Sequence, residues 1–253
     1  MTLSSSLLEE VSDIARAAAR EILDVYEAGC TSRAKADGAP VTEADERAAA
    51  VIMRSLRSLT PGYPVACEES ADRLHAAAGA SSFWLVDPLD GTKEFLQRNG
   101  EFTVNIALIQ DAKPTLGVVM APALDRLFAA AAGVGAVVTE RGATHPLSCR
   151  TPPVEGLTVV ASRSHGDGDA MESFLRGRPV ARIVSAGSSL KFCMVAAGEA
   201  DIYPRLGTTM EWDTAAGHAV LAAAGGRVTG VDGLPLMYGK PGLVNPHFIA
   251  SGR

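Results

Sequence analysis

The stretch that most constrains this chain runs from Phe83 to Phe95. Four apolar residues, Phe83-Trp84-Leu85-Val86, end abruptly in Asp87-Pro88-Leu89-Asp90-Gly91-Thr92-Lys93-Glu94-Phe95. A short apolar run bounded by turn residues reads as a buried strand. Pro88 fixes its own φ and pushes Asp87 toward an extended backbone, so the chain turns and Asp87 and Asp90 face one volume with the Leu89 carbonyl between them. Two carboxylates held that close repel unless a cation lies between them, and hard divalent cations such as magnesium take oxygen ligands. Gly91 lets a ligand approach the backbone, and the amides of Gly91 and Thr92 at a helix start suit phosphate oxygens. The same aspartates read equally as turn and N-cap residues that serve only the backbone.

Upstream, Leu7 to Ala28 carries apolar residues at helical spacing and stops at Gly29. A loop with Gly38 and Pro40 follows, then a second helix that Thr42 caps and that buries Ala49, Ile52, Met53, Leu56 and Leu59. Asp45 in its first turn complements the helix dipole or does chemistry. Pro64 to Cys67 reads as a strand running straight into Glu68-Glu69-Ser70, so two strands of one sheet would deliver acids at one edge. Residues 71–82 offer no chemical signal and read as a mobile excursion. Four strands follow without helices between them (Phe102–Ile109, Thr115–Met120, Leu127–Ala131, Ala136–Thr139), which predicts an antiparallel sheet.

Pro146, Pro152 and Pro153 mark a boundary, giving an N-terminal α+β lobe over 1–150 and a C-terminal α/β lobe over 151–253. The second part alternates strand and helix: strands at Leu157–Ala161, Ala181–Val184, Asp201–Tyr203 and Arg227–Thr229, and helices at Asp167–Arg176, Ser188–Ala197 and Trp212–Ala224. Asp213 stands in the first turn of the last helix, as a cap or as a further acid for the metal. His218 reads as a packed or hydrogen-bonded residue. Ser162-Arg163-Ser164-His165, Ser188-Ser189-Leu190-Lys191 and Tyr203-Pro204-Arg205 each follow a strand, and together offer cations and hydroxyls to an anion.

A net charge of −6 disfavours a nucleic-acid surface. No run is long enough for a membrane-spanning helix, and Glu9, Glu10 and Asp13 interrupt what a signal peptide would keep apolar, so a cytoplasmic protein is expected. Cys30, Cys67, Cys149 and Cys193 are scattered, without the spacing of a zinc site or a disulfide framework.

Taken together, Asp87-Pro88-Leu89-Asp90-Gly91-Thr92, Trp212-Asp213-Thr214-Ala215-Ala216-Gly217 and the upstream Glu68-Glu69-Ser70 resemble, in order, the signatures of the inositol monophosphatase superfamily of metal-dependent, lithium-sensitive phosphatases. The similarity runs from the first helix to Asn245-Pro246. Lys93-Glu94-Phe95, Ser162 to His165, Gly187 to Cys193 and Tyr203-Pro204-Arg205 look like the bacterial CysQ type, the 3′(2′),5′-bisphosphate nucleotidases.

The resemblance implies an αβαβα layered sandwich and hydrolysis of the 3′-phosphate of adenosine 3′,5′-bisphosphate to AMP, with action on the 5′-phosphosulfate analogue left open. It implies two or three magnesium ions held by Glu68, Asp87, the Leu89 carbonyl, Asp90 and Asp213, with Asp45, Glu68 and Thr92 as catalytic groups. Gly91, Thr92, His165, Ser188, Lys191 and Arg205 would bind the substrate. Arg205 stands about where inositol monophosphatases carry a glutamate for ring hydroxyls, and a cation there suits a second phosphate. An inositol or other small-molecule monophosphatase is the alternative, and a non-catalytic anion-binding protein the next. A homodimer and a peripheral association with the inner membrane are left open.

Overall fold

The computed structural model of the chain describes residues 5–29, 31–34, 40–70, 72, 74, 77–163 and 168–253. Helix α1 (Ser5–Ala28) buries Leu7, Leu8, Val11, Ala15, Ala18, Ala19, Ile22 and Val25, the stripe its periodicity predicts. A two-residue ladder, β1 (Arg33–Ala34) with β2 (Pro40–Val41), leads into α2 (Glu43–Leu59). Thr42 caps α2: its hydroxyl accepts from the Ala44 amide (3.2 Å), while Asp45 reaches back to the Thr42 amide (2.7 Å). The excursion expected over 71–82 lies in part outside the described residues, and Ala77 within it is buried.

Seven strands form the first sheet: β3 (Val65–Cys67), β4 (Ser82–Asp90), β5 (Thr103–Gln110), β6 (Lys113–Ala121), β7 (Arg126–Ala131), β8 (Gly135–Glu140) and β9 (Ala143–Pro146), in that spatial order. All neighbours are antiparallel except β3 and β4. A short helix, α3 (Thr92–Leu96), follows β4. Period-two alternation sends Trp84, Val86, Val104, Ile106, Val118 and Met120 toward α1 and α2. Phe83, Leu85, Ala107, Ile109, Val119 and Phe128 point to the other face.

That other face is covered from the second half of the chain. There β10 (Leu157–Ser162), β11 (Val180–Ala186), β12 (Ile202–Arg205), β13 (Arg227–Gly230) and β14 (Phe248–Ser251) form a five-stranded sheet ordered β11-β10-β12-β14-β13. Helices α5 (Leu190–Ala196) and α6 (Glu211–Ala223) lie between the sheets, and α6 touches β4 through β8. Its approach is very close. A Cβ on Gly117 of β6 would stand 2.4 Å from the Ala216 carbonyl and 2.7 Å from the Ala219 Cβ, so glycine facing alanine lets helix and sheet backbones touch.

The step from β10 to β11 through α4 (Gly168–Leu175) and the step back past β10 to β12 through α5 run in opposite directions. With the usual right-handed crossover the two helices fall on opposite faces, and α5 is the one facing the first sheet. No residue of α4 is buried, as befits an outer helix. The layers are therefore α1 and α2, sheet, α5 and α6, sheet, α4: the αβαβα arrangement. Among the described residues no helix is long and apolar enough to cross a membrane.

Candidate active site

Parallel pairing of β3 with β4 sets Cys67 beside Val86, so the next residues on the two strands, Glu68 and Asp87, emerge side by side. The Glu68 amide donates to the Val86 carbonyl (3.0 Å), which fixes that register at the exit. Asp87 continues the face of Phe83 and Leu85 and so points toward α6. At the start of α6 stands Asp213, whose Oδ2 accepts from the Met210 amide (2.8 Å). One carboxylate oxygen from each of Glu68, Asp87 and Asp213 lies within 4.8 Å of the others. Capping and clustering are thus both true of Asp213, since one oxygen orders the helix and the side chain still faces the other acids.

Burial first, then the charges of Glu68, Asp90, Asp213 and Asp45, push the Asp87 carboxyl well above the usual carboxylate range. Asp213 is raised likewise, by burial and then by Asp90. Asp90 is raised less, because Lys191, the Ser189 hydroxyl (3.1 Å to Oδ2) and the Asn105 amide (3.3 Å) offset its burial. Acids crowded so that they raise one another's pKa make a site whose repulsion a hard divalent cation with oxygen ligands would relieve. The donor set therefore fits such an ion, with the Leu89 carbonyl on the same turn, where the Leu89 amide donates to Asp87 Oδ1 (3.1 Å).

These acids line a cavity of about 510 Å³, together with Leu89, Gly91 and Thr92. Gly91 has φ +91°, a left-handed conformation, and a Cβ there would meet the Glu101 carbonyl at 3.2 Å. Asp45 is buried at 2% exposure and stands behind the cavity wall; its Oδ1 accepts from Thr92 Oγ1 (3.4 Å), so it reaches the cavity through that hydroxyl. Ser188, Lys191 and Arg205 line the same cavity from the second sheet's side of the chain. Lys191 is buried, donates to the Ser188 carbonyl (2.6 Å), and is pulled down to about 8 by that burial, which Asp90 opposes and Arg205 reinforces. Arg205 donates to the Thr208 carbonyl (3.0 Å). His165 lies outside the described residues.

Asn105, which carries no mark in the sequence, projects from a buried strand onto Asp90, and Ser189, read among the hydroxyls for an anion, gives its Oγ to Asp90 and to the Asp213 carbonyl (2.7 Å) instead. Arg163, read among the donors to an anion, gives its Nε and Nη2 to the carboxylate of Glu101 instead (2.8 Å each). His218 is packed, as expected: Tyr238 lies 3.0 Å from its Nδ1, and burial lowers its pKa to about 4. Among the described cysteines, Cys67, Cys149 and Cys193 are buried free thiols.

Comparison with known proteins decides the family, because a family model described as the inositol monophosphatase family matches residues 4–251. The chain belongs to the inositol monophosphatase family. It is 47% identical over 250 residues to the 3′(2′),5′-bisphosphate nucleotidase CysQ of Escherichia coli (strain K12), covering 97% of this chain and 99% of that protein. The protein of the same name from Salmonella typhimurium is 46% identical over 247 residues, 96% of this chain and 98% of its own. Among solved structures, CysQ from Bacteroides thetaiotaomicron, a bacterial member of the family, superimposes with a TM-score of 0.84 at 38% identity, covering 98% of this chain and 97% of the other. The family is metal-dependent, and in this chain an acid cluster lies at the strand exits of the first sheet and the start of a helix between the sheets.

Proposed function

We propose that this chain is a magnesium-dependent 3′(2′),5′-bisphosphate nucleotidase that hydrolyses the 3′-phosphate of adenosine 3′,5′-bisphosphate to AMP and inorganic phosphate. The observation that carries the reading is one cavity lined by clustered acids and by Lys191 and Arg205, in a chain nearly half identical to curated nucleotidases over its length. Glu68, Asp87, the Leu89 carbonyl, Asp90 and Asp213 would hold two or three magnesium ions. When bound, magnesium neutralises the charge of the scissile phosphate and acidifies a coordinated water.

The chain's own groups do the rest. Gly91 and Thr92 line the cavity, and their amides, at the left-handed turn of Gly91, would meet the phosphate oxygens. Thr92 Oγ1 orients the attacking water and passes its proton toward Asp45, whose other oxygen is fixed by Thr42 and so keeps the carboxylate aimed. Glu68, within reach of the same volume, is the second group able to take that proton. Lys191 and Arg205, with Ser188, engage the substrate's other phosphate and its sugar. An inositol ring offers hydroxyls where these cations stand, so a neutral polyol is the poorer occupant.

Initial-rate phosphate release from adenosine 3′,5′-bisphosphate and from inositol 1-phosphate, with and without magnesium and lithium, tests the reading. The expected result is magnesium-dependent release, inhibited by lithium, with a higher kcat/KM on the nucleotide. Equal or better turnover of inositol 1-phosphate would overturn the assignment of substrate.

A further inference from the structure

Glu101 sits in the turn before β5, on the first sheet, and nothing in the chemistry above uses it. Its carboxylate nevertheless joins the two halves of the chain. Oε1 accepts from Arg163 Nη2 and Oε2 from Arg163 Nε, a bidentate pair at 2.8 Å in both arms, and Oε2 also accepts from the Gly187 amide at 2.9 Å. Arg163 Nη2 donates in addition to the Ser185 carbonyl (3.0 Å), so the guanidinium spans Glu101 and the end of β11. Glu101 itself is fixed from behind, where its amide donates to Asn99 Oδ1 (2.9 Å).

The turn so gripped is tight. A Cβ on Gly187 would lie 2.6 Å from the Glu101 carbonyl and 2.8 Å from the Glu94 Cγ, so only glycine lets the two backbones meet. The next residue, Ser188, takes φ +47°, a costly left-handed conformation for a serine that persists only when its surroundings impose it. Ser188 lines the cavity and its carbonyl accepts from Lys191 Nζ, so the turn sets the place of both groups assigned to the substrate's non-reacting part. Ser189, by contrast, is held separately on Asp90 and the Asp213 carbonyl. The grip therefore acts on the binding side of the turn and leaves the acid side to other bonds.

We infer that Glu101 and Arg163 are positioning residues that latch the Gly187-Ser188 turn and thereby set the enzyme's affinity for the nucleotide part of its substrate. The latch rests on the nucleotidase reading for its kinetic consequence, but its effect on the turn stands apart from it. Glu101→Ala, Arg163→Met and the double variant are compared in the full-length protein by amide hydrogen exchange and by kinetics. Exchange at residues 187–190 should quicken about tenfold in each single variant while β5 and β6 stay protected. KM for adenosine 3′,5′-bisphosphate should rise about tenfold with kcat within about twofold, KM for p-nitrophenyl phosphate should not move, and the double variant should be no worse than the poorer single one.

Unchanged exchange at the turn would remove the latch whatever the substrate proves to be. Faster exchange with an unchanged KM, with equal losses on both substrates, or with multiplying effects would remove its role in specificity. Wild-type rates on the bisphosphate test the underlying reading by themselves.

Discussion

Replacing Asp213 with asparagine separates the two things this side chain does. Asparagine keeps an oxygen for the Met210 amide from the third position of the helix, so α6 should start as before. What disappears is one negative charge from a cluster whose oxygens lie within 4.8 Å of each other. At an effective dielectric constant of about 20, each ionised pair at that separation costs about 3.5 kcal/mol. Asp213 faces two such partners, and protonation of the raised carboxyls limits how much of that repulsion is felt without a cation. The cation-free variant should therefore melt at the wild-type temperature or above it. Magnesium at about a hundredfold over its Kd stabilises a protein that binds it only when folded by about 2.7 kcal/mol, or about 5 °C for a chain of this size. Wild type should show that rise and Asp213→Asn should lose most of it, with kcat/KM down at least about 100-fold. Differential scanning fluorimetry in EDTA and in magnesium, beside phosphate release, measures both. A variant that keeps the full magnesium shift, or that melts several degrees lower in EDTA, would refute the reasoning.

Four shorter expectations accompany it. Asp87 and Asp213 carry raised folded-state pKa values, so without cations the stability they contribute is greatest at acid pH and is lost as pH climbs through those values; melting in EDTA should fall with pH, whereas the magnesium half-saturation concentration should also fall, and a flat profile in both would contradict the cluster. Thr92→Ala should lower kcat about 100-fold with the magnesium-induced melting shift intact, and Thr92→Ser should recover most of the rate; equal losses in the two variants would argue against the hydroxyl. Arg205→Ala should raise KM for the bisphosphate about tenfold or more and leave a small monophosphate nearly unaffected, as steady-state kinetics on the two substrates would show. Gly117→Ala should destabilise by about 1–3 kcal/mol, read by urea denaturation, because its methyl group would collide with the α6 backbone; a neutral effect would mean that the helix is free to shift.

The parts legible in the sequence are those with a local cause. Pro88 and the apolar run before it announce a strand that ends in acids, and Thr42 with Asp45 announces a helix start, because each signal lies within a few residues of its effect. Helix α5 begins at Leu190, two residues later than the pattern predicts, since Ser188 adopts a positive φ that serine rarely announces. The short strands β9 and β14 are set by neighbouring strands rather than by any hydrophobic period of their own. Asn105, Ser189 and Glu101 act across long stretches of chain, and a polar residue in a strand or turn gives no hint of a partner so distant. Arg163 shows the same blindness from the other side. It looked available to an anion because its carboxylate partner comes 62 residues earlier.

Because α6 rests on the first sheet through Gly117, the stretches before and after the prolines share one apolar core. A fragment ending near residue 150 would offer water the bare side of β4 through β8, including Phe83, Ile109, Val119 and Phe128, and would aggregate rather than fold alone. The acids it retains would lack the neighbour that only the later helix brings. Assembly of the catalytic pocket and covering of that apolar face are thus one event, since both need the helix that the second half of the chain supplies.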